Sequence, residues 1–237
     1  MTSLPAPRFL PVFVLALAVA TGCRSAASPS LESPVQARML GHFALAMDLR
    51  IFIVNGDLER LRITGEELSV AEETWGMPPG SGPYLEMVRS AALRAAEAVD
   101  METASRAVAD VALACGACHL ANQTTLGERF QVAAPLLTDP ATRHTNFLSW
   151  VSRLLWDGVL GPSEAMWHTG AGALAAGEGV PPPRASFVPQ DEILRSAETL
   201  KGLGVEAVVA VDAEARAQIL ADVWLECASC HTQAGVR

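Results

Sequence analysis

Lysine is almost absent from this chain. Lys201 is the only one, and with the arginines it makes 17 basic residues against 26 acidic, a formal net charge of −9. Phosphate recognition relies on clustered Lys and Arg, so the balance argues against nucleic acid as a partner. It points instead to solubility or to a basic partner. Tyrosine occurs once and β-branched runs are short, which leaves little material for sheets, whereas Ala, Leu, Glu and Arg dominate. That is the composition of helices joined by Gly/Pro loops, and the fold class expected is all-α. With 237 residues, half of them apolar, the chain is long enough for one large domain or two small ones.

Long apolar runs are scarce as well. The most marked, Phe9 to Ala20, follows Arg8 and has the length of a signal-peptide core rather than of a membrane span. Residues 1–22 are therefore set apart as an export signal. Ala20-Thr21-Gly22-Cys23 resembles a bacterial lipobox, in which the cysteine is acylated and becomes the mature N-terminus, although Leu is usual where Ala20 stands. The resemblance implies lipidation at Cys23, and Arg24 after it implies sorting to the outer membrane, on the periplasmic side of the envelope. A simple signal peptide with an incidental cysteine is the plainer alternative. Residues 23–36, rich in Ser, Pro and Ala, read as a tether.

The other four cysteines fall into two motifs, Cys115-Gly116-Ala117-Cys118-His119 and Cys227-Ala228-Ser229-Cys230-His231. Two thiols at this short fixed spacing can add to the two vinyl groups of a haem, and the next His then sits beneath the iron. Two covalent haem c groups are expected, attached through Cys115, Cys118, Cys227 and Cys230, with His119 and His231 as proximal ligands. A thioredoxin-like pair would need a βαβ context that the helical pattern lacks. A zinc site would have to join pairs from separate units.

The motifs also mark a repeat. His42 and Gly56 recur as His144 and Gly158, each 102 residues on, while the motifs recur after 112. The difference implies an insertion in the second copy, with the loop from Gly177 to Pro189 as the expected place for part of it. The helix signals predict spans of 34–54, 58–73, 83–99 and one from Asp100 to the first motif. The second half repeats them at 142–156, 162–176, 191–203 and 213–230. The expected organisation is a bundle over 37–122, a connector over 123–138 and a second bundle over 139–237: two tandem antiparallel four-helix bundles.

In each unit the motif closes the last helix. That layout resembles the class II cytochromes, the cytochrome c-prime family, whose four-helix bundles bind haem near the end of the fourth helix. The resemblance covers both units in architecture and, beyond the motifs, rests on layout rather than shared residues. Antiparallel first and fourth helices would bring the start of one beside the end of the other. His42 and His144 lie near those starts on apolar stripes, with Leu45, Ala46, Leu49 and Ile53, and with Phe147, Leu148, Val151 and Leu155. Each is a candidate sixth iron ligand, the alternative being a satisfied core histidine. Met39 and Met47 are the competing ligands, but their counterparts are Ala141 and Ser149, so Met47 reads as packing. His168 has no counterpart and reads as structural or surface. Arg50, Arg143 and Arg153 could meet haem propionates or simply line a solvated face. The tryptophans Trp75, Trp150, Trp156, Trp167 and Trp224 read as core or pocket walls.

Paired histidines at both irons would leave no substrate position, so the expected function is electron transfer with redox protein partners, not enzymatic catalysis. If His42 or His144 does not bind, a five-coordinate iron as in cytochrome c-prime would allow gas binding, sensing or peroxidase-like chemistry. For the anchor, Cys23→Ser is expected to move the protein from the membrane to the soluble periplasmic fraction. Continued membrane association would contradict lipidation.

Overall fold

The computed structural model describes residues 34–71, 77–124, 133–139, 142–177, 189–233 and 235. Among them there are eight α-helices and no strand: α1 (Pro34–Asn55), α2 (Leu58–Ser69), α3 (Gly82–Ala96), α4 (Met101–Ala121), α5 (Arg143–Leu160), α6 (Glu164–Ala176), α7 (Gln190–Val209) and α8 (Ala213–Gln233). The leader, Cys23, most of the tether and Trp75 lie outside the described residues. No described helix is long and apolar enough to cross a membrane.

Local chemistry sets the helix starts. The carboxylate of Asp57 accepts from the Arg60 amide at 3.1 Å, that of Asp100 from Thr103 at 2.8 Å and that of Asp212 from Ala215 at 2.7 Å. The Ser163 hydroxyl accepts from Met166. Each satisfies an amide that the first turn leaves unpaired, a contribution of about 1 kcal/mol. At the other end, α1 stops at Gly56, whose φ of +70° reverses the chain at little cost only without a Cβ.

Several boundaries differ from the expected ones. α2 ends at Ser69, not at residue 73, because the Ser69 hydroxyl donates to the Glu66 carbonyl at 2.7 Å and draws the last turn closed. α5 continues through Gly158 to Leu160, so Gly158 is not the stop that Gly56 is. A Cβ there would lie 2.9 Å from the Trp167 backbone, so the bare Gly158 lets α6 close on α5. α7 runs past Leu203 to Val209, and Gly204 packs inside it against the backbone of Leu174 and Ala175. The insertion in the second copy is thus carried largely by helices. α7 has 20 residues against 15 in α3, and α5 gains a final turn, whereas the connections 70–81 and 177–189 are nearly equal in length.

Helices adjacent in sequence pack together within each half, α1 to α4 and α5 to α8, with a 12-residue and a 13-residue break only between α2 and α3 and between α6 and α7. The halves are also joined. α8 packs on α4 and α1, and α4 packs on α5, so that residues 33–237 form one compact unit with a continuous core. The α4 face is made of Ala104, Ala107, Val108, Val111 and Ala112, and α8 brings Ala217, Leu220, Ala221 and Trp224, all buried. Small side chains let the helix axes approach, and each fully buried Leu or Val contributes roughly 1.5–3 kcal/mol. The stripes read on α1 and α5 do face inward: Ala46, Leu49, Ile53, Phe147, Val151 and Leu155 are buried.

Arg216 ties α8 to α6 and α7. It is almost fully buried, donates to both carboxylate oxygens of Glu164 at 2.6 and 2.7 Å and to the Ala210 carbonyl at 3.1 Å, and lies over the Trp167 ring. The Trp167 indole in turn donates to the Ala207 carbonyl at 2.9 Å. Arg216→Ala is expected to lower stability by about 1–3 kcal/mol, through lost packing as much as lost charge, in chemical denaturation. The Arg216 guanidinium holds the Glu164 carboxyl below its usual range. Its contribution is therefore present at neutral pH and lost as pH falls through that lowered value. The Tm gap between the parent and Glu164→Gln should accordingly shrink below about pH 4.

Candidate functional site

Both motifs lie in last helical turns, and each abuts the first helix of the other half. At the first centre, Gly116 in α4 sits directly against the Val159 carbonyl of α5, an approach that a Cβ would block. One turn on, His119 Nδ1 lies 2.7 Å from the Leu160 carbonyl oxygen. A carbonyl can only accept, so Nδ1 carries the proton and Nε2 is left with its lone pair. Cys118 is held locally: Asn122 Nδ2 donates to its carbonyl at 2.9 Å and reaches Sγ at 3.6 Å, with the buried Ser81 hydroxyl at 4.0 Å.

At the second centre, the end of α8 meets the end of α1, where Gly56 lies against Thr232 and the Ala228 carbonyl. The His144 pKa is lowered here, first by burial and then by His231, which lies within electrostatic reach of it. The Nδ1 atoms of both are buried and have no hydrogen-bond partner among the described residues. Burying a polar nitrogen unpaired costs about 1–3 kcal/mol, so two such atoms in one place mark a site rather than a settled core.

His42 stands differently. It is half-buried on α1, its pKa lowered by burial and then by Arg38 one turn earlier, and no coupling of the kind joining His144 to His231 links it to His119. Burial pushes the Cys115 and Cys227 thiols up to about 12, the opposite of the lowered value that makes a reactive redox thiolate. Among the described residues, no three His, Cys, Asp or Glu side chains are placed to hold a bare metal ion.

The remaining candidates fall into place around these centres. His168 is exposed and 3.4 Å from Glu164, a surface pair. Met47 packs against the core. Trp156, Trp167 and Trp224 are fully buried, and the Trp156 and Trp224 rings lie 5.4 Å apart. Arg143 donates to the Leu137 carbonyl at 3.0 Å. Arg50 and Arg153 do not form the solvated face expected as the simpler alternative. Arg50 reaches from α1 to Ser152 at 3.4 Å, Ser152 also accepts from the Trp224 indole at 3.1 Å, and Arg153 pairs with the buried Asp157 at 3.2 Å. Burial raises the Asp157 carboxyl, and Arg153 and Arg50 oppose that shift.

The residues fit the haem that the motifs imply. Each motif offers two thiols and an imidazole at one helix end, one imidazole has its Nε2 lone pair left free, and the other lies within electrostatic reach of a second histidine. Sequence reasoning missed the Leu160 carbonyl and the Arg50–Ser152–Trp224 cluster, since backbone acceptors carry no residue signature and the cluster joins distant positions. The extra length of the second half was the one available sign. No family model matches the chain, and neither a curated protein nor a solved structure resembles it.

Gly116→Ala is expected to drive α4 from α5, lower stability by about 1–3 kcal/mol in thermal or chemical unfolding, and release the His119 ring. Unchanged stability would contradict the close approach.

Proposed function

We propose that the chain is a covalent haem protein of the c type, each Cys-x-x-Cys-His motif holding one group through its two thiols and its histidine. More particularly, we infer a dihaem electron-transfer lipoprotein, formed of two units resembling class II four-helix bundles, anchored through Cys23 on the periplasmic side of the outer membrane and exchanging electrons with redox protein partners. The observation that carries the reading is that His144 lies within electrostatic reach of His231, the histidine that closes the second motif, and that both half-buried rings keep a buried Nδ1 without a partner among the described residues. When bound, haem supplies one-electron oxidation and reduction.

The protein's own residues do the rest. His119 and His231 would hold the two groups from within the motifs, with His144 as the second histidine of the second centre and His42 as that of the first. The Leu160 carbonyl holds the His119 ring in one orientation. Buried Trp224, one turn before Cys227, and Phe147, one turn after His144, exclude water from the second centre. Paired histidines leave no open position, which suits a carrier rather than a catalyst.

A second reading is favoured at the first centre alone, where Arg38 and not His119 is the electrostatic neighbour of His42. That centre would then be five-coordinate, open to a small gas or peroxide.

A pyridine haemochrome assay of the purified holoprotein should find two covalent haems per chain, and any other number sinks the proposal. Electron paramagnetic resonance of the oxidised protein should show low-spin signals only. His144→Ala should convert one haem to high spin. The same outcome for His42→Ala supports the main reading, whereas a high-spin component in the parent supports the second.

A further inference from the structure

The two centres differ in what stands behind the proximal histidine, and the repeat shows why. α5 has a final turn that α1 lacks. That turn carries Val159 and Leu160 to the end of α4, where Gly116 admits them and the Leu160 carbonyl accepts a hydrogen bond from His119 Nδ1–H. At the pseudo-equivalent place, α1 has already ended under Gly56, and Asp57 is committed to α2. Its carbonyl accepts from the Leu61 amide at 3.1 Å and its side chain from the Arg60 amide at 3.1 Å. Among the described residues no carbonyl reaches His231, whose Nδ1 is buried without an acceptor, as is that of His144.

An imidazole that donates Nδ1–H to a carbonyl is a more basic ligand, and a more basic ligand stabilises the oxidised iron. Histidines without that acceptor favour the oxidised state less. We propose that the two haem sites are unequal, the one at Cys115–His119 having the lower midpoint potential, so that an electron entering there passes to the one at Cys227–His231. The step moves one electron, oxidising the first centre by one unit and reducing the second by one, with no bond made and no proton exchanged. This rests on the reading of two haems with paired histidines.

The test uses the holoprotein and two single-haem variants, Cys115→Ser/Cys118→Ser and Cys227→Ser/Cys230→Ser. Haem counts of two, one and one, with low-spin resonance throughout, check the underlying reading. A different count or a high-spin parent overturns that reading and the proposal with it. With those satisfied, spectroelectrochemical titration should give the lower midpoint for the haem kept at Cys115–His119 and two resolved steps in the parent. Equal midpoints or the reverse order overturn the proposal alone. Should either variant fail to fold, nitrogen-15 histidine resonances of the reduced parent decide the matter. The His119 Nδ1–H should exchange with solvent about tenfold more slowly than that of His231, the factor expected of one hydrogen bond. Equal exchange overturns the proposal.

Discussion

The contact between α4 and α8 is what the remainder of the structure depends on. These are the two helices that end in the motifs, and their facing surfaces are built from Ala, Val and Leu with one tryptophan. Alanines at successive turns let the axes close to where dispersion and desolvation act over the whole length. Once the two are pressed together, α1 and α5 must pack over both of them. Each motif end consequently abuts the other half's first helix, as Gly116 abuts α5 and Ala228 abuts α1.

That crossing has an energetic consequence at its centre. Arg50, Ser152, Arg153, Asp157 and Trp224 come from α1, α5 and α8 and bury charge where the halves meet. Buried charge is a poor source of net stability, because desolvation offsets most of the attraction, but an arrangement satisfied in one register disfavours others. Arg50 and Ser152 stand at equivalent places in the two copies, 102 residues apart, which puts the meeting point of the halves at the same level of both first helices. A near-symmetric frame of this kind is where small departures from symmetry become chemically meaningful, and the added turn of α5 is such a departure.

Much of the architecture was legible from local chemistry. Asp57, Asp100 and the Asn55-Gly56 pair mark boundaries because capping and positive φ are properties of a few residues and their neighbours. The inward stripes of α1 and α5 follow from helical period alone. The expected helix ends at 156 and 203 fall just before Gly158 and Gly204, yet each glycine lies inside a helix, because a missing Cβ serves a tight helix contact as well as a turn. Which use applies depends on whether another backbone arrives, and that information lies in Trp167 and Ala175, not nearby in the chain. Arg50 was misjudged for the same reason, and Arg153 because its pairing with Asp157, four residues on, matters through burial. Their partners, Ser152 and Asp157, become partners only when α1 and α5 meet or when burial removes the water that would otherwise serve.

The sequence by itself determined the all-helical class, the two Cys-x-x-Cys-His motifs, their position at helix ends and the candidate histidines, since these depend on residue type and short spacing. Only the tertiary structure decided that His144 lies within electrostatic reach of His231, and that His119 finds a carbonyl while His231, among the described residues, does not. Those outcomes turn on where the ends of α1 and α5 fall against α8 and α4, a matter of one helical turn and of which backbones a glycine admits, and no local pattern encodes it.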